Sequence, residues 1–202
     1  MTFLNSSLAP LFAGFVLSIG AVGLGFTAGA DHLEGAKLAA RWTSRVGAPI
    51  FLIAYLASTF LRLSKNGLTR ALMQYRRQWG LAFAWTHSVH LAALTYYLTI
   101  AGMPPDIATI LGGGLAYLMI YVMAITSNNW SMRKLGKNWK RIHIFGIHYI
   151  WFIYLLTYSG RLSDSSLYHI GVVGSGMFIL ALLFRMTVKW RAWLEHRKSV
   201  AQ

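Results

Sequence analysis

The chain has 202 residues, of which 56% are hydrophobic and only 12% are charged, and its formal net charge is +14. A soluble domain carries about 25% charged residues, so this composition indicates an integral membrane protein. The sequence contains no cysteine, which excludes disulfides, thiolate metal sites, iron–sulfur clusters and covalently attached c-type haem.

Six apolar runs predict six membrane-spanning helices, and the expected fold is a single all-α transmembrane bundle over residues 1–202. Each run is near the ~20 residues that a helix needs to cross the hydrocarbon core, and Arg62 can extend the shortest run by snorkelling. Residues 31–42 are expected to form a short amphipathic helix on the membrane surface. The predicted spans are 4–27, 46–61, 79–101, 107–125, 142–159 and 167–188.

Positive charge alternates between the segments that connect these spans. Segments 62–78 and 126–141 each carry +5, and the end of the chain from Arg185 carries +4. The remaining connections, 28–45, 102–106 and 160–166, carry +1, −1 and 0. By the positive-inside rule the basic segments are cytoplasmic, and both termini lie with them. The basicity therefore indicates topology and contact with lipid headgroups rather than nucleic-acid binding.

Four histidines lie inside two of the predicted spans: His87 and His90 in the third, and His143 and His148 in the fifth. An ionisable side chain in lipid must be paired, coordinated or facing water, so it is a functional hypothesis by default. One such histidine could simply hydrogen-bond a neighbouring helix, but four on two helices indicate a shared role. Neutral imidazoles on facing helices are the ligands of b-type haem inside helix bundles.

Two other roles for the histidines require acidic partners that the spans do not contain. A zinc site usually adds carboxylate or thiolate ligands, and a proton-relay transporter usually adds buried Asp or Glu. The acidic residues, all outside the predicted spans, are Asp31, Glu34, Asp106, Asp164 and Glu195. Their positions favour haem over zinc and over proton transport.

The two histidine-bearing segments resemble the ferric-reductase-like transmembrane domain family. In "YRRQWGLAFAWTHSVHLAALTYYL" (75–98) the pattern R-R-x-x-G is followed, ten residues after the glycine, by His90. In "AITSNNWSMRKLGKNWKRIHIFGIHYIW" (124–151) the pattern T-S, then R-K-L-G-K-x-W, leads to His143. A weaker match surrounds the second span, at Thr43, Arg45 and Arg62.

This resemblance implies a six-helix haem b protein that passes electrons across the bacterial inner membrane to a periplasmic redox partner or acceptor. Members of the family usually carry a further histidine thirteen residues after the one matching His143, where this chain has Leu156. Here the histidines of each pair are three and five residues apart, about 4.5 and 7.5 Å along a helix. That spacing is too short for two stacked haems, so one haem b is expected.

Two observations select the predicted iron ligands: the match to the family motif and the depth of each histidine within its predicted span. His90 is favoured by the motif, and His148 lies about as deep as His87, so His90 with His148 is the predicted pair. His143 and His87 are alternates, and His169, near the start of the sixth span, is a reserve ligand. His143 and His148 are about 140° apart on an ideal helix and are not expected to face one pocket. Gly146 would open space beside His143 for a flat ring.

Basic residues at the cytoplasmic ends of these spans are candidates for binding anionic cofactor groups. Haem propionates or an anionic flavin such as FMN could pair with them, and simple headgroup anchoring is an equal alternative. The residues are Arg76, Arg77, Lys137, Lys140 and Arg141.

The predicted function is electron transfer, with the protein acting as the haem subunit of an oxidoreductase. No loop is long enough to form a nucleotide-binding domain, so electrons must come from quinol, a cytoplasmic flavin reductase or a small bound flavin. The alternatives are a b-type quinol oxidoreductase, an accessory subunit of a larger membrane complex, and a non-redox transporter or structural subunit.

Overall fold

The computed structural model describes residues 7–200, except the side chains of residues 108, 196 and 200. Within that range the secondary structure is helical, without strands. The helices are α1 (Ala9–Ala28), α2 (His32–Leu63), α3 (Gly67–Gln74), α4 (Arg76–Ile100), α5 (Ile107–Ile125), α6 (Asn129–Leu135), α7 (Lys137–Ser159) and α8 (Tyr168–Val200), with a 3-10 turn at Gly160–Ser163. Residues 4–6 of the predicted first span lie outside the described range.

Four helical segments are long and apolar enough to cross a membrane: Ala9–Ala28, His32–Leu63, Lys137–Ser163 and Tyr168–Ser199. A fifth results if Thr109–Ile125 and Asn129–Leu135, which meet at a bend of 104°, form one broken span. The helix that matches the predicted third span, α4, is not in this set; its 25 residues include two arginines and two histidines. The prediction of an all-α chain with membrane-crossing helices is confirmed, and the count of six spans stays a prediction.

Helix α2 begins fourteen residues before the predicted second span, so residues 32–42 are helical as expected, but the expectation of a separate helix on the membrane surface is wrong. The Asp31 side chain caps α2 by accepting from the Glu34 backbone N–H at 2.8 Å, and Glu34 accepts from the Ala30 N–H at 3.0 Å. Ala36, Ala39 and Ala40 are buried. A Cβ added to Gly25 of α1 would lie 2.4 Å from the Ala39 nitrogen, so this stretch packs directly on α1.

The helices pack around an aromatic core. Helices α1, α2 and α4 pack against one another, α8 packs on α7 and α2, and α5 packs on α7 and α4. Rings from α2, α4, α7 and α8 meet at the centre, where Phe51, Phe83, Tyr154 and Phe178 are buried with centroids 4.7–6.3 Å apart. The outward faces of α1, α5 and α8 expose large apolar side chains, as a lipid-facing surface does.

The connections fall at two ends of the bundle. One end carries α3, α6 and the C-terminal part of α8, and we call it the basic end. The other carries the connections 29–31, 101–106 and 160–167, and we call it the opposite end. All of the strongly positive segments therefore lie together at the basic end.

Candidate functional site

A cavity of about 790 Å³ opens at the basic end, between α2, α4, α5, α7 and α8. Binding sites for cofactors and other small molecules usually have volumes of roughly 300–1,000 Å³. Phe51, Phe83, Ile120 and Ile150 form apolar walls. Gly80 of α4 also faces this space, since a Cβ added there would meet nothing within 4 Å. The cavity is large enough for a flat cofactor and is largely apolar at its inner end.

Basic side chains surround the mouth of this cavity, and none of the described acidic residues lines it. The basic residues are Arg62, Arg76, Arg77, Lys140, Arg185 and Lys189. Clustered cations around a low-dielectric cleft create a strong positive potential there. The site is therefore suited to a ligand that carries carboxylate or phosphate groups.

Two of these arginines are held in place by the backbone of α2. Arg76 donates from Nε to the Ala54 carbonyl at 2.9 Å, and Arg185 donates to the next carbonyl, that of Tyr55. The Arg185 guanidinium also lies over the Tyr55 ring, 4.5 Å from its centroid, and its Nε is buried without a hydrogen-bond partner. Both positive charges are thereby fixed beside the cavity.

His143 and His148 both line the cavity, contrary to the expectation from their 140° separation. The cavity extends around α7 from Met123 of α5 to Lys189 of α8, so side chains on different faces of α7 reach it. His143 and Thr126 are joined by a hydrogen bond of 3.0 Å between Nε2 and Oγ1. The Thr126 hydroxyl donates to the Val122 carbonyl at 2.6 Å, so its oxygen accepts the proton of Nε2.

His148 differs from His143 in its bonding. Its Nδ1 is buried without a hydrogen-bond partner, and its ring lies 5.8 Å from that of Tyr55. His143 instead stacks on Trp139 with ring centroids 4.1 Å apart. His148 also borders a shallow groove on the outside of α7, and Arg141 lines that groove rather than the main cavity.

Gly146 does not open space beside His143. The Sδ atom of Met123 lies 2.7 Å from where a Cβ of Gly146 would be, so α5 already occupies this position. The glycine allows close packing of α5 on α7, and the expectation that it admits a cofactor ring is wrong. The corresponding opening on the facing helix is at Gly80.

His87 and His90 lie in the packed interface of α2 and α4. His87 is 8% exposed, and the hydroxyl of Tyr154 lies 3.1 Å from its Nε2. A Cβ added to Gly47 would lie 2.4 Å from the Cε1 atom of His87, so the ring rests on the α2 backbone. The Nδ1 atom of His90 lies 3.2 Å from Oγ1 of Thr43.

The bond to Thr43 determines which nitrogen of His90 carries the proton. The Thr43 hydroxyl donates to the Ala39 and Ala40 carbonyls at 2.8 and 3.0 Å, so its oxygen accepts from Nδ1–H of His90. The lone pair then remains on Nε2, as in most histidines that bind a metal. His90 therefore has the protonation pattern of a ligand, whereas His143 has its proton on Nε2.

The structure brings the four histidines together in pairs rather than as one set. His87 and His90 have ring centroids 5.8 Å apart, and His143 shares the cavity with His148. Neither α4 histidine is among the residues that line the cavity, which α4 reaches through Gly80 and Phe83. His169 is exposed at the start of α8, with its ring against Tyr168.

Sequence reasoning missed three of the basic side chains that line the cavity. Arg185 and Lys189 were counted only toward topology, although their spacing of four residues places them on one helix face. Arg62 was considered for snorkelling and as part of the weaker family match, and not as a residue of the cavity. Their role depends on α2 and α8 converging at the basic end, which a count of charges does not reveal.

Comparison with known proteins finds relatives that are described as haem-binding subunits. Relatives from Brucella ovis, Brucella abortus and Brucella suis biovar 1 are each described as "Protein-methionine-sulfoxide reductase heme-binding subunit MsrQ". Each is 34% identical over 140 residues, which cover 65% of this chain and 60% of the relative. No family model and no solved structure matches. The predicted resemblance to a haem-binding membrane protein is confirmed in sequence: this chain is similar to MsrQ subunits and spans about 60% of their length.

Proposed function

We propose that the chain is a haem b-binding electron-transfer subunit of an oxidoreductase, a multi-pass protein of the bacterial inner membrane. The observation that carries this proposal is the cavity at the basic end, which combines apolar walls, histidines and a cluster of six cations. Similarity to proteins described as haem-binding subunits supports it independently.

The residues around the cavity fit a haem. The space at Gly80 admits a flat ring, and the buried Nδ1 of His148 lacks a partner within the described residues. Arg76, Arg185 and their basic neighbours can hold two propionates, while Phe51 and Phe83 exclude water from the ring. When bound, haem b supplies a one-electron couple. FMN or a quinone are the alternative ligands for the same cations and walls.

For the iron ligands we propose His90 and His148, with His143 and His87 as alternates. His90 keeps its Nε2 lone pair because Thr43 accepts the proton of Nδ1, and His148 has no hydrogen bond in the described chain. His143 and His87 both have Nε2 in a hydrogen bond to a hydroxyl. Two ligands of one haem must both reach the same iron atom. His90 lies beside Thr43 and His148 beside Tyr55, about 18 Å apart along α2, so the positions described do not bring this pair to one iron, and the choice rests on the motif and on hydrogen bonding.

The orientation that we propose has six spans, with the basic end in the cytoplasm. A reporter fused after Gln202 should then read cytoplasmic, and one inserted at residues 162–164 should read periplasmic. The opposite reporter pattern would reverse the direction of electron flow.

The donor that we propose is quinol or a cytoplasmic flavin reductase, and the acceptor is a periplasmic partner. The relatives' description as subunits of a protein-methionine-sulfoxide reductase suggests a partner that reduces oxidised methionine in proteins. Such a partner would dock at the opposite end.

A reduced-minus-oxidised absorption spectrum of the purified protein tests the central claim. We expect the sharp alpha band of low-spin haem b and close to one haem per chain by extraction. No haem band in protein purified from haem-supplemented cells would reject the redox function and favour a transporter or structural subunit. Two haems per chain would reject the single site.

A further inference from the structure

A groove of about 440 Å³ runs along the outer face of α7, outside the cavity that the proposed haem would occupy. Its lining residues recur every three to four positions and therefore share one helix face. They are Arg141, Ile144, Phe145, His148 and Tyr149. Ile144 and His148 also line the cavity, so they form the wall between the two spaces. The groove therefore lies on the bilayer side of this wall.

The inner part of this groove is an apolar surface built from two aromatic rings. Phe145 and Tyr149 stack with ring centroids 5.9 Å apart and an angle of 17° between their planes. The Tyr149 hydroxyl donates to the Gly112 carbonyl of α5 at 3.1 Å, which fixes its ring and uses its proton. Phe145 is 56% exposed, although nothing polar surrounds it in the groove except His148. Such a surface suits a hydrocarbon chain.

The mouth of the groove carries a positive charge without a partner. Arg141 lies at the basic end, directly before the predicted fifth span, and Tyr149 is eight residues further along α7, about 12 Å deeper. Arg141 is exposed and makes no hydrogen bond or ion pair with any of the described residues. Lys137, one turn earlier on the same face, is exposed as well. Unpaired cations thus stand at headgroup depth above an apolar groove.

The proposed cofactor does not account for this groove, because Arg141 does not line the cavity. We propose that the groove binds one anionic phospholipid, with its phosphate at Arg141 and an acyl chain along Phe145 and Tyr149. Charge complementarity selects this occupant, since basic residues next to a span attract the anionic headgroups of the cytoplasmic leaflet. A guanidinium also binds phosphate oxygens in pairs. A neutral lipid or a quinone tail would cover the rings and leave Arg141 unpaired.

The test is native mass spectrometry of the full chain, purified with its haem in a non-ionic detergent and titrated with phosphatidylglycerol or with phosphatidylcholine of the same acyl chains. We expect one phosphatidylglycerol per chain to bind more tightly than phosphatidylcholine. Arg141→Gln should weaken this binding by about fivefold, the effect of one cation at the membrane surface, and Arg141→Lys should retain most of it. Arg133→Gln, which removes an exposed charge of α6 at the same end, should leave it unchanged.

A second pair of variants tests the apolar part of the groove. Phe145→Ala should weaken the binding of both lipids, whereas Phe152→Ala, at another exposed phenylalanine of α7 outside the groove, should not. Equal affinities for the two lipids, or equal losses in Arg133→Gln and Arg141→Gln, would overturn the site. A quinone with an isoprenoid tail that displaces phosphatidylglycerol and binds Arg141→Gln as tightly as the wild type would also overturn it. Binding that Arg141→Gln weakens in protein without a haem band would support the lipid site while rejecting the proposed function.

Discussion

The two helices that carry the histidine pairs differ in what surrounds them. On α4, His87 and His90 lie in tight packing, with Gly47 and Thr43 of α2 against their rings. On α7, His143 and His148 line an open cavity surrounded by cations. In the sequence all four residues are histidines of apolar spans. In the structure the α4 pair is packed between helices, whereas the α7 pair lines a cavity that a ligand could enter.

The two regions also share a feature. In each pair one histidine has Nε2 bonded to a hydroxyl, of Tyr154 for His87 and of Thr126 for His143. The other histidine of each pair, His90 or His148, does not. The bonding of Nε2 therefore distinguishes the two histidines of each pair, although Nδ1 of His87 is, like that of His148, buried without a partner among the described residues.

The largest expected effect comes from removing a ligand histidine. His148→Ala and His90→Ala should each abolish the sharp reduced alpha band or leave high-spin, weakly held haem, because no apolar neighbour can replace an axial ligand. His143→Ala and His87→Ala should shift the spectrum only slightly. The measurement is the reduced-minus-oxidised spectrum with haem content per chain.

Added imidazole distinguishes the two regions in the same experiment. It should restore the low-spin band of His148→Ala, whose cavity is open, and not that of His90→Ala, whose surroundings are packed. If His143→Ala loses haem while His148→Ala keeps it, the family motif is the better guide to the ligand. If none of the four changes alters haem binding, the histidines are not ligands.

The next largest effect is expected from removing the threonine hydroxyls that hydrogen-bond the rings of His90 and His143. Thr43→Val removes the acceptor for Nδ1–H of His90 and should weaken haem binding by about 10–100-fold, the usual cost of losing a partner of a ligating histidine. Thr126→Val is the matched control, since it removes the same kind of bond from His143. Equal losses of haem affinity in both variants would contradict the distinction between the two histidines.

Filling the cavity from α4 tests whether it holds the cofactor. Gly80→Trp should lower the haem content without unfolding the protein, because the side chain enters open space. Gly114→Trp, at an exposed glycine of α5 that also has nothing within 4 Å, should keep its haem. Full haem content in Gly80→Trp would place the cofactor elsewhere.

Periodicity and charge predict much of this fold because they depend on local sequence. The apolar runs predict the long helices. The charge pattern correctly places the two basic loops at the same end of the bundle as the C-terminal part of α8. A helix was expected at 31–42, where Asp31 followed three residues later by Glu34 is a helix-start signal, but its continuation into the second span was missed. The charges of 31–42 made that stretch look like a connection, and only its packing on α1 shows that it continues α2.

The site was predicted only in its residue types. The histidines can be recognised in the sequence because they lie in apolar spans. The hydrogen bonds of their ring nitrogens depend on Thr43, 47 residues from His90, and on Thr126, 17 residues from His143. Such contacts follow from helix packing and cannot be read from spacing.

The smallest expected effect is on the free energy of unfolding, when a glycine is replaced by alanine in each of the two regions. Gly47→Ala places a methyl group against the His87 ring and the Tyr154 hydroxyl, at 2.4 and 2.9 Å, and should lower the free energy of unfolding by about 1–3 kcal/mol, the usual cost of overpacking. Gly80→Ala meets no atom within 4 Å and should raise it by about 0.5–1 kcal/mol, because alanine favours a helix over glycine. Thermal unfolding in detergent, followed by tryptophan fluorescence, gives the sign of each change. If the two alanine variants shift the midpoint alike, the α4 histidines are not packed as described, and the contrast between the two regions does not hold.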